Sequence, residues 1–546
     1  RNWAALRHKP NHQKKVAIVF HNYPPSNQNI GNAIGLDSFA SVAEIIRRLK
    51  QEGYAVDRTY DDPQELADEI VGGLTCDRQW LTPEAMAARA TDNAGRERTQ
   101  AWTGELPARN QEHMRKDWGP APGELFVHDA KVMINGLING NVYIGMQPPR
   151  GFIEQPEKIH DPFMSPSHHY LYYYRWLRDV FKADAVMHIG CHGSLEWLPG
   201  NSVALSQYCY PDLAIMDMPN IYPYIINNPS EGTQTKRRSF SCLIDHLVPV
   251  MTNAGIHEAL QDVDLKVLEY LQVEAMNPKA LPVAQQQLWD MVHKANLDGD
   301  LQISRDQAMA DFDGFLEQLH GYLSEMADTY IAHGLHTLGQ SPQGDGLVEL
   351  ATQLLRLRIN DIPSLREAVA FNWGLDYDQL LAKRGAKCGH QKFATNAQAI
   401  EAVHQKCLDL VRRRINGQEI PKEEVSPQIE QVLDYLMAQV LPRLEKTSDE
   451  MESIVRALSG QYIAPGGSGN PTRGQLDILP TGRNFYTVDP EKVPTRSAWE
   501  TGVAMAEKLQ ERYQEETGGP VDTMGMLSGA STPCATKART LPRLCI

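Results

Sequence analysis

The sequence predicts a multidomain α/β protein, with a parallel-sheet α/β core and a large, mostly helical region. Two apolar runs, VAIVF at 16–20 and AVM at 185–187, each lead into a loop rich in glycine and polar residues, which is typical of buried parallel strands. From residue 240 to about residue 458, apolar residues recur at spacings of three and four with charged residues between them, which indicates helices.

The first run begins a βα unit at residues 14–53. Its loop, HNYPPSNQNIGNAIGLD, precedes an apolar stripe that predicts a helix, with Asp37 or Ser38 as the N-cap and Gly53 at the end. His21 and Asn22 lie where such a unit places functional groups, although Asn22 could equally make a turn hydrogen bond.

Length, net charge and cysteine content limit the classes of protein to which the sequence can belong. A chain of 546 residues suggests about three to four domains. The formal net charge of −15 argues against nucleic acid as a partner, and eight scattered cysteines favour a reducing compartment, the cytoplasm. The sequence contains no run of about 18 apolar residues, so it predicts no membrane span. The first 15 residues are polar and basic and predict no signal peptide. A start at Arg1 suggests a piece of a longer protein.

The pattern divides the chain into five segments. We expect an α/β domain at 1–125, a central α/β catalytic domain at 126–245, a mainly helical domain at 246–458, a Gly/Pro-rich loop and return to the α/β domain at 459–526, and an atypical tail at 527–546. Individual expectations are strands at 125–128, 142–145 and 221–226, a turn region at 134–141, and helices at 165–178, 244–250, 262–272, 312–332, 347–358, 429–446 and 497–514.

The loop at 185–200, AVMHIGCHGSLEWLPG, is the strongest candidate for a functional site. Its polar groups, His188, Cys191, His192 and Glu196, fall within nine positions among small residues that let a ligand approach. Hydrogen-bonded core histidines and a structural zinc site are the alternatives. Cys191 and His192 are adjacent and no further Cys or His group completes a set of four ligands, which disfavours zinc.

Other candidates are spread along the chain. His168 and His169 open a helix whose tyrosines we expect to pack on the core with their hydroxyls reaching water. His333 and His336 either share a helix face or divide into one exposed and one packed residue. The loop at 461–486 reads as an ordered wall of a cleft rather than a linker. Arg150 is a candidate anion contact. The run Lys236, Arg237 and Arg238 could hold carboxylates of a substrate or could be a solvated face.

Seven stretches carry a resemblance to a known family, in family order across most of residues 14–505. They resemble the large subunit of chelatases that insert a divalent metal into a tetrapyrrole, the family of the cobaltochelatase CobN subunit and the magnesium chelatase H subunit. Within these stretches, the sequence LEWLPG is more similar to the cobaltochelatase branch of the family than to the magnesium chelatase branch. The stretches are HNYPPSNQNIGNAIGLDSF, PPRGF, HHYLYYYRWL, HIGCHGSLEWLPG, CYPDLAIMDMPNIYPYIINNPSEGTQTKRR, GLHTLG and PTRGQLDILPTGRNFY.

The family's large subunits are longer on both sides, so the resemblance implies a central catalytic part or a truncated reading frame. Residues 527–546 depart from the family pattern, contain no acidic residue and read like a shifted frame. We assign them no function.

The resemblance implies a tetrapyrrole-binding subunit that inserts Co²⁺ into a corrin precursor, hydrogenobyrinic acid a,c-diamide, in cobalamin biosynthesis. It also implies AAA+ partner subunits that hydrolyse ATP, and the sequence itself has no Gly-x-x-x-x-Gly-Lys-Ser/Thr loop. Glu196 is then the base that accepts pyrrole protons, and His188, His192 and Glu196 are the candidate metal ligands. The implied substrate-binding residues are His21, Asn22, His168, His169, Lys236, Arg237, Arg238 and Arg483.

Other readings stay open. The same family includes magnesium chelatase, which takes Mg²⁺ and protoporphyrin IX, and a related enzyme could remove iron from haem with the same residues. A non-catalytic tetrapyrrole carrier or sensor and, more distantly, a zinc hydrolase are the remaining alternatives.

Overall fold

A computed structural model describes residues 1–77, 81–151, 161–190, 193–253, 258–327, 329–359, 361–486, 496–521 and 523. Its strands are β1 (Val16–Phe20), β2 (Asp92–Ala94), β3 (Val127–His128), β4 (Lys131–Ile134), β5 (Leu137–Asn139), β6 (Val142–Met146), β7 (Ala185–Ile189), β8 (Asn220–Ile225), β9 (Cys242–His246), β10 (Met251–Asn253), β11 (Tyr330–Ala332), β12 (Pro465–Gly466) and β13 (Asn484–Phe485). Its helices are α1 (Asn2–His8), α2 (Ser38–Gln51), α3 (Pro63–Gly72), α4 (Pro83–Arg89), α5 (Arg96–Gly104), α6 (Ala108–Trp118), α7 (His168–Trp176), α8 (Tyr210–Ile215), α9 (Pro229–Ser239), α10 (Glu258–Met276), α11 (Leu281–Lys294), α12 (Leu297–Asp300), α13 (Arg305–Ala310), α14 (Phe312–Ala327), α15 (Gly344–Leu354), α16 (Leu365–Asn372), α17 (Tyr377–Ala382), α18 (Asn396–Ile415), α19 (Pro427–Tyr435), α20 (Leu441–Glu445), α21 (Asp449–Leu458) and α22 (Arg496–Thr517).

A six-stranded sheet with the order β5-β6-β1-β7-β8-β9 forms the α/β core. Five neighbouring strands, β6, β1, β7, β8 and β9, run parallel to one another, and β5 pairs antiparallel with β6. Val16, Ile18 and Phe20 of β1 pack in the same core as α2, whereas Ala17 and Val19 pack with α7. Because helices cover both faces, the strands are continuous apolar runs, and this is why the sequence predicts them.

The chain crosses from β6, on one side of β1, to β7, on the other side. Strand β1 therefore lies where the strand order reverses. In open α/β sheets, ligands bind outside the carboxyl ends of the strands at such a point. The loops that follow β1, β6 and β7 are consequently in the position of a binding site.

The first helix of the predicted βα unit is confirmed. The carboxylate of Asp37 accepts a hydrogen bond from the backbone N–H of Ala40 at 2.9 Å, so Asp37 is the N-cap of α2. Two other expectations near the sheet are wrong. The turn region at 134–141 contains β5, and the helix at 244–250 is replaced up to His246 by β9, whose residues pair with β8.

The predicted helical region is confirmed and packs around two cores. One core contains residues of α10, α11 and α14, and the other contains residues of α15, α16, α18 and α19. The helix predicted at 312–332 ends sooner, because α14 stops at Ala327 and the chain then forms β11, which pairs with β10. No helix of the described ranges is long and apolar enough to cross a membrane.

The predicted segments are joined through the sheet. Strand β1, from segment 1–125, lies between β6 and β7, from segment 126–245, so these two segments share one sheet. The loop after α21 returns to the same sheet, where the backbone N–H of Asp245 donates to the carbonyl of Arg483 at 2.9 Å. Segment 527–546 lies outside the described residues, and the division into domains stays a prediction.

Candidate functional site

A pocket of about 440 Å³ opens at the carboxyl ends of β1, β6 and β7. Its walls come from residues 21–23 after β1, residues 147–150 after β6, and the loop after β7, which contributes Gly193, Ser194 and Trp197. Most of this volume is open to solvent, and the enclosed part measures only about 30 Å³. It lies at the edge of the sheet where the sequence predicts the site.

His21 lines the pocket. Its backbone N–H donates to the carbonyl of Ile189 at 2.9 Å, which joins the end of β1 to β7. Its ring packs so closely on Gly193 that a Cβ atom there would lie 2.1 Å from His21 Cε1. The Nε2 atom contacts the hydroxyl of Tyr222, which also accepts the Gly193 N–H at 3.1 Å. Glycine at 193 is therefore required by the close approach of the imidazole.

His188 lies behind the pocket wall, on the β7 strand. Its Nδ1 lies 2.8 Å from Asn220 Oδ1, and Asn220 Nδ2 donates to the carbonyl of Ser239 at 3.0 Å. Because the Asn220 oxygen can only accept, His188 Nδ1 carries the proton and Nε2 accepts from the Tyr174 hydroxyl at 2.9 Å. Burial lowers the pKa of His188 to about 4, so the ring is neutral at pH 7.

The same chain of hydrogen bonds continues into the pocket wall. Gln147 Nε2 donates to the Tyr174 hydroxyl at 2.8 Å, and Gln147 Oε1 accepts from the backbone N–H of Ser194 at 2.7 Å and from its hydroxyl at 3.0 Å. Tyr170 lies 3.0 Å from the Ser194 hydroxyl. The expectation that the hydroxyls of this helix reach water is wrong for Tyr170, Tyr173 and Tyr174, which are buried.

Glu196 is buried in the short turn Leu195–Trp197. Burial raises the pKa of Tyr170 and Tyr174, and the negative charge of Glu196 raises both further. Glu196 therefore lies near the same tyrosine that binds His188. Neither Glu196 nor His188 is among the described residues that line the pocket, and their joint role at the site stays a prediction.

Part of the loop that carries the predicted metal ligands is not described by the structure. Cys191 and His192 lie outside the described residues. Within the described ranges, no group of three or more His, Cys, Asp or Glu side chains has an arrangement that could hold a metal ion. Both ring nitrogens of His188 have protein partners, so metal binding at its Nε2 would require Tyr174 to move. The metal-ligand roles of His188, His192 and Glu196 stay predictions.

Asn22 also lines the pocket. Its Oδ1 accepts the backbone N–H of Ser26 at 3.2 Å, which is the turn hydrogen bond that the sequence allows. Its Nδ2 is buried and has no hydrogen-bond partner among the described residues. Asn22 thus makes the local turn and also presents a polar group at the site.

His168 and His169 do not line the pocket. His168 Nε2 lies 3.0 Å from the carbonyl of Gly119, and His169 Nε2 lies 3.0 Å from the carbonyl of Met133. The His169 ring also stacks on Phe126, with centroids 4.6 Å apart. These contacts hold the start of α7 against neighbouring segments, which is a structural role, and their contact with substrate stays a prediction.

Lys236 joins the returning loop to helix α9, and Arg483 joins the same loop to the sheet. Lys236 Nζ donates to Asn484 Oδ1 at 2.7 Å and to the carbonyl of Phe485 at 2.6 Å. The backbone N–H of Arg483 donates to Asp245 Oδ1 at 2.7 Å. Lys236 shares α9 with the other two predicted cations, of which Arg237 is exposed and Arg238 is buried. None of these four predicted contacts lines the pocket among the described residues.

The sequence matches the CobN/Magnesium Chelatase family over residues 1–539. The chain belongs to this family. It is 35% identical over 96% of its length to the aerobic cobaltochelatase subunit CobN of Pseudomonas aeruginosa, and 36% identical over 98% to an uncharacterised protein of Methanocaldococcus jannaschii. The chain spans 43% of the length of each relative.

The fold agrees with that of a solved cobaltochelatase subunit. The catalytic subunit of cobaltochelatase from Mycobacterium tuberculosis superposes with a TM-score of 0.85 at 35% identity. The match covers 100% of this chain and 45% of that subunit.

Sequence reasoning missed four residues that position the site in this CobN-family chain. They are Gln147, Tyr174, Asn220 and Tyr222. Asn220 and Tyr222 alternate along β8, and the register places Asn220 opposite Val186 of β7, two positions before His188. Polar residues at alternate positions of a strand next to β7 are the sequence signal that would have indicated Asn220 and Tyr222. Gln147, in a loop, gave no comparable signal.

A second buried cluster was also missed. Glu450 accepts hydrogen bonds from His336 Nε2 at 2.7 Å, the Gly339 N–H at 3.0 Å, the Leu247 N–H at 2.8 Å and the Thr481 hydroxyl at 2.6 Å. It therefore joins the end of β9 to two distant loops. His333 is exposed while His336 is buried, so the alternative of one exposed and one packed histidine is confirmed.

Proposed function

We propose that this chain is part of the tetrapyrrole-binding large subunit of an ATP-dependent cobaltochelatase. Its reaction inserts Co²⁺ into a corrin precursor, hydrogenobyrinic acid a,c-diamide. The observation that carries the proposal is the pocket at the carboxyl ends of β1, β6 and β7, with His21 on its wall and Glu196 and His188 gathered around Tyr174. Membership of the CobN/magnesium chelatase family supports it.

The residues present suit the chemistry of metallation. The macrocycle must lose two pyrrole protons while the incoming ion sheds water. Glu196, a buried carboxylate between Leu195 and Trp197, is the proposed proton acceptor. His21 is the imidazole on the pocket wall, and the neutral His188 holds Tyr174 in place behind it. Imidazole ligands suit cobalt better than magnesium, which prefers oxygen.

Partner subunits complete the proposal. The family resemblance implies separate AAA+ subunits that hydrolyse ATP, and we include them in the proposal. The Gly-x-x-x-x-Gly-Lys-Ser/Thr loop that would bind ATP does not occur in the sequence given, which agrees with this assignment. The scattered cysteines are typical of proteins in a reducing compartment, and we place the reaction in the cytoplasm.

Optical titration and metallation test the function. The purified chain is titrated with hydrogenobyrinic acid a,c-diamide, protoporphyrin IX and haem, and the complexes are then given Co²⁺ or Mg²⁺ together with AAA+ subunits and ATP. We expect the corrin precursor to bind and to acquire cobalt. Magnesium insertion into protoporphyrin, loss of the Soret band from haem, or binding without any metallation would instead support the magnesium branch, a dechelatase or a carrier.

A further inference from the structure

One buried amide lies between the strand that ends at the pocket and the turn that carries Glu196. Gln147 follows β6, and its backbone N–H donates to the carbonyl of Phe20 at 2.8 Å, which fixes its main chain against the end of β1. Its side chain reaches two other segments, Tyr174 of α7 and Ser194 of the loop after β7. Gln147 therefore connects three parts of the chain at the edge of the sheet where the pocket opens.

The hydrogen bonds of its neighbours fix which end of this amide faces Ser194. His188 Nδ1 donates to Asn220 Oδ1, so the Tyr174 hydroxyl donates to His188 Nε2. A hydroxyl has a single proton, and Tyr174 can therefore only accept from Gln147. The NH₂ group of Gln147 is thus at Tyr174, and its carbonyl oxygen is left for Ser194.

The side-chain oxygen of Gln147 uses both of its lone pairs on Ser194. It accepts the backbone N–H at 2.7 Å and the hydroxyl at 3.0 Å. Ser194 begins the turn Leu195–Trp197, because its carbonyl accepts the backbone N–H of Trp197 at 3.1 Å. Glu196 is the central residue of that turn and is buried. The place of its carboxylate therefore depends on a serine that Gln147 holds.

We propose that Gln147 is the positioning residue for the base of metallation, because it holds Ser194 and thereby the turn that carries Glu196. In the transfer itself, the Glu196 carboxylate takes the proton of a pyrrole N–H, and the nitrogen keeps the electron pair that binds the metal ion. A general base must lie within hydrogen-bond reach of that proton, and a displacement of about 1 Å can lower the rate by about 10²-fold. This inference rests on the proposed function, in which Glu196 accepts the pyrrole protons.

A double-mutant cycle tests whether Gln147 acts through Glu196. Cobalt insertion into hydrogenobyrinic acid a,c-diamide is measured with AAA+ subunits and ATP for Gln147→Met, Glu196→Gln and the double variant. Methionine has nearly the size of glutamine but lacks the amide donor and acceptor. We expect Gln147→Met alone to lower kcat by about 10–100-fold and to leave KM for the macrocycle within about threefold of wild type. In the Glu196→Gln background it should lower kcat by less than about threefold, because the base that it positions is already absent.

Hydrogen exchange of the turn gives a second measurement that does not depend on activity. The Ser194 N–H loses its acceptor in Gln147→Met, so peptides that cover residues 193–198 should exchange faster than in the wild-type chain. Gln147→Asn is the second variant if Gln147→Met does not fold. It keeps the amide on a side chain that is one methylene shorter, so it cannot reach both Tyr174 and Ser194. It should lower kcat and speed the exchange as Gln147→Met does.

Asn139→Leu is the matched control. Asn139 is also a buried amide that holds a loop, since its Oδ1 accepts the backbone N–H groups of Asp57 at 3.0 Å and Arg58 at 2.8 Å, and its Nδ2 donates to the carbonyl of Arg58 at 2.7 Å. It lies outside the pocket wall. We expect Asn139→Leu to lower the urea midpoint by an amount comparable to Gln147→Met, with kcat and the exchange of residues 193–198 as in the wild-type chain. The comparison separates positioning of the base from a general loss of stability.

The outcomes distinguish the inference from the function. Losses of kcat that multiply in the double variant, or unchanged exchange of residues 193–198 in both Gln147 variants, would overturn the positioning role and leave the chelatase function standing. A higher KM with an unchanged kcat would show that Gln147 binds the macrocycle directly, which also overturns the inference. A full metallation rate in Glu196→Gln would mean that Gln147 has no base to position there. A wild-type chain that inserts no cobalt would remove the proposed function and the inference with it.

Discussion

His188 accepts a hydrogen bond from the Tyr174 hydroxyl at 2.9 Å, and this contact joins the tyrosine-rich helix α7 to strand β7. Asn220 fixes the other ring nitrogen, so the direction of every hydrogen bond from Gln147 to Asn220 is determined. These donors and acceptors are buried. In such a place, leaving one polar group without a partner lowers the stability of the fold by more than one hydrogen bond raises it. The loops of the pocket are therefore held by a polar network as well as by the apolar core.

Replacement of Tyr174 by phenylalanine tests the network. The variant removes the hydroxyl that Gln147 donates to and that His188 accepts from, and it leaves both groups buried without that partner. We expect the free energy of unfolding to fall by about 1–3 kcal/mol, measured by urea denaturation. Tyr462→Phe, at a residue that is 72% exposed, is the control and should change stability by less than about 0.5 kcal/mol. Equal stability of the two variants would contradict the network.

Gly193→Ala tests the close approach of His21. The added Cβ would lie 2.1 Å from His21 Cε1 and 2.8 Å from Gln147 Oε1, so the imidazole must move out of its place on the pocket wall. We expect weaker tetrapyrrole binding and a loss of about 1–3 kcal/mol in the free energy of unfolding. Gly72→Ala is the control, because nothing lies within 4 Å of a Cβ at that helical position. Its stability should be unchanged or higher by up to about 1 kcal/mol.

The parts of the fold that could be predicted from sequence are those that depend on local pattern. Strand β1 and helix α2 follow from a continuous apolar run and from the Asp37 cap, both of which are short-range signals. The sequence pattern predicts a helix at 244–250, which overlaps β9, because a short apolar run does not distinguish a helix from a strand. The assignment of β9 depends on pairing with β8, which is a long-range contact.

The sequence predicts the edge of the sheet at which the pocket lies, but not which side chains meet there. His21 lines the pocket because a residue directly after a parallel strand lies at the carboxyl edge of the sheet, and its contact with substrate stays a prediction. His168 and His169 could not be excluded, since only the tertiary structure brings the carbonyls of Gly119 and Met133 to their rings. Gln147 joins the site through side-chain contacts with two other segments, and no local spacing reveals such contacts.

The buried pair of His336 and Glu450 predicts a pH-dependent stability. Burial alone raises the pKa of Glu450, but the charge and hydrogen bond of His336 outweigh burial, and the net pKa lies below the ordinary value of 4.5. A carboxylate with a lowered pKa stabilises the fold above its unfolded pKa, and that stabilisation is lost as the pH falls through the folded value. Glu450→Gln should therefore cost roughly 3 kcal/mol at pH 7 and clearly less at pH 4.

The control for this pair lies on the same helix. Glu452 is half exposed and pairs with Arg48 at 2.8 Å, and such surface pairs contribute about 0–1 kcal/mol. Glu452→Gln should thus change the free energy of unfolding little at either pH. Urea denaturation of both variants at the two pH values gives the comparison. A cost for Glu450→Gln that is the same at pH 4 and pH 7 would show that the charge of Glu450 does not stabilise the fold.

Glu196→Gln separates proton transfer from substrate binding. Glutamine has nearly the same shape as glutamate but cannot accept a proton at neutral pH, so the pocket wall should keep its form while the base is lost. We expect tetrapyrrole affinity within about threefold of wild type and a metallation rate lower by about 10²–10⁴-fold, the usual contribution of a general base. Glu507→Gln, on the exposed side of α22, should leave both quantities unchanged. Optical titration gives the affinity, and the change of the absorption spectrum on cobalt insertion gives the rate. An undiminished rate in Glu196→Gln would mean that another group accepts the pyrrole protons, because the amide has no basic lone pair to replace the carboxylate.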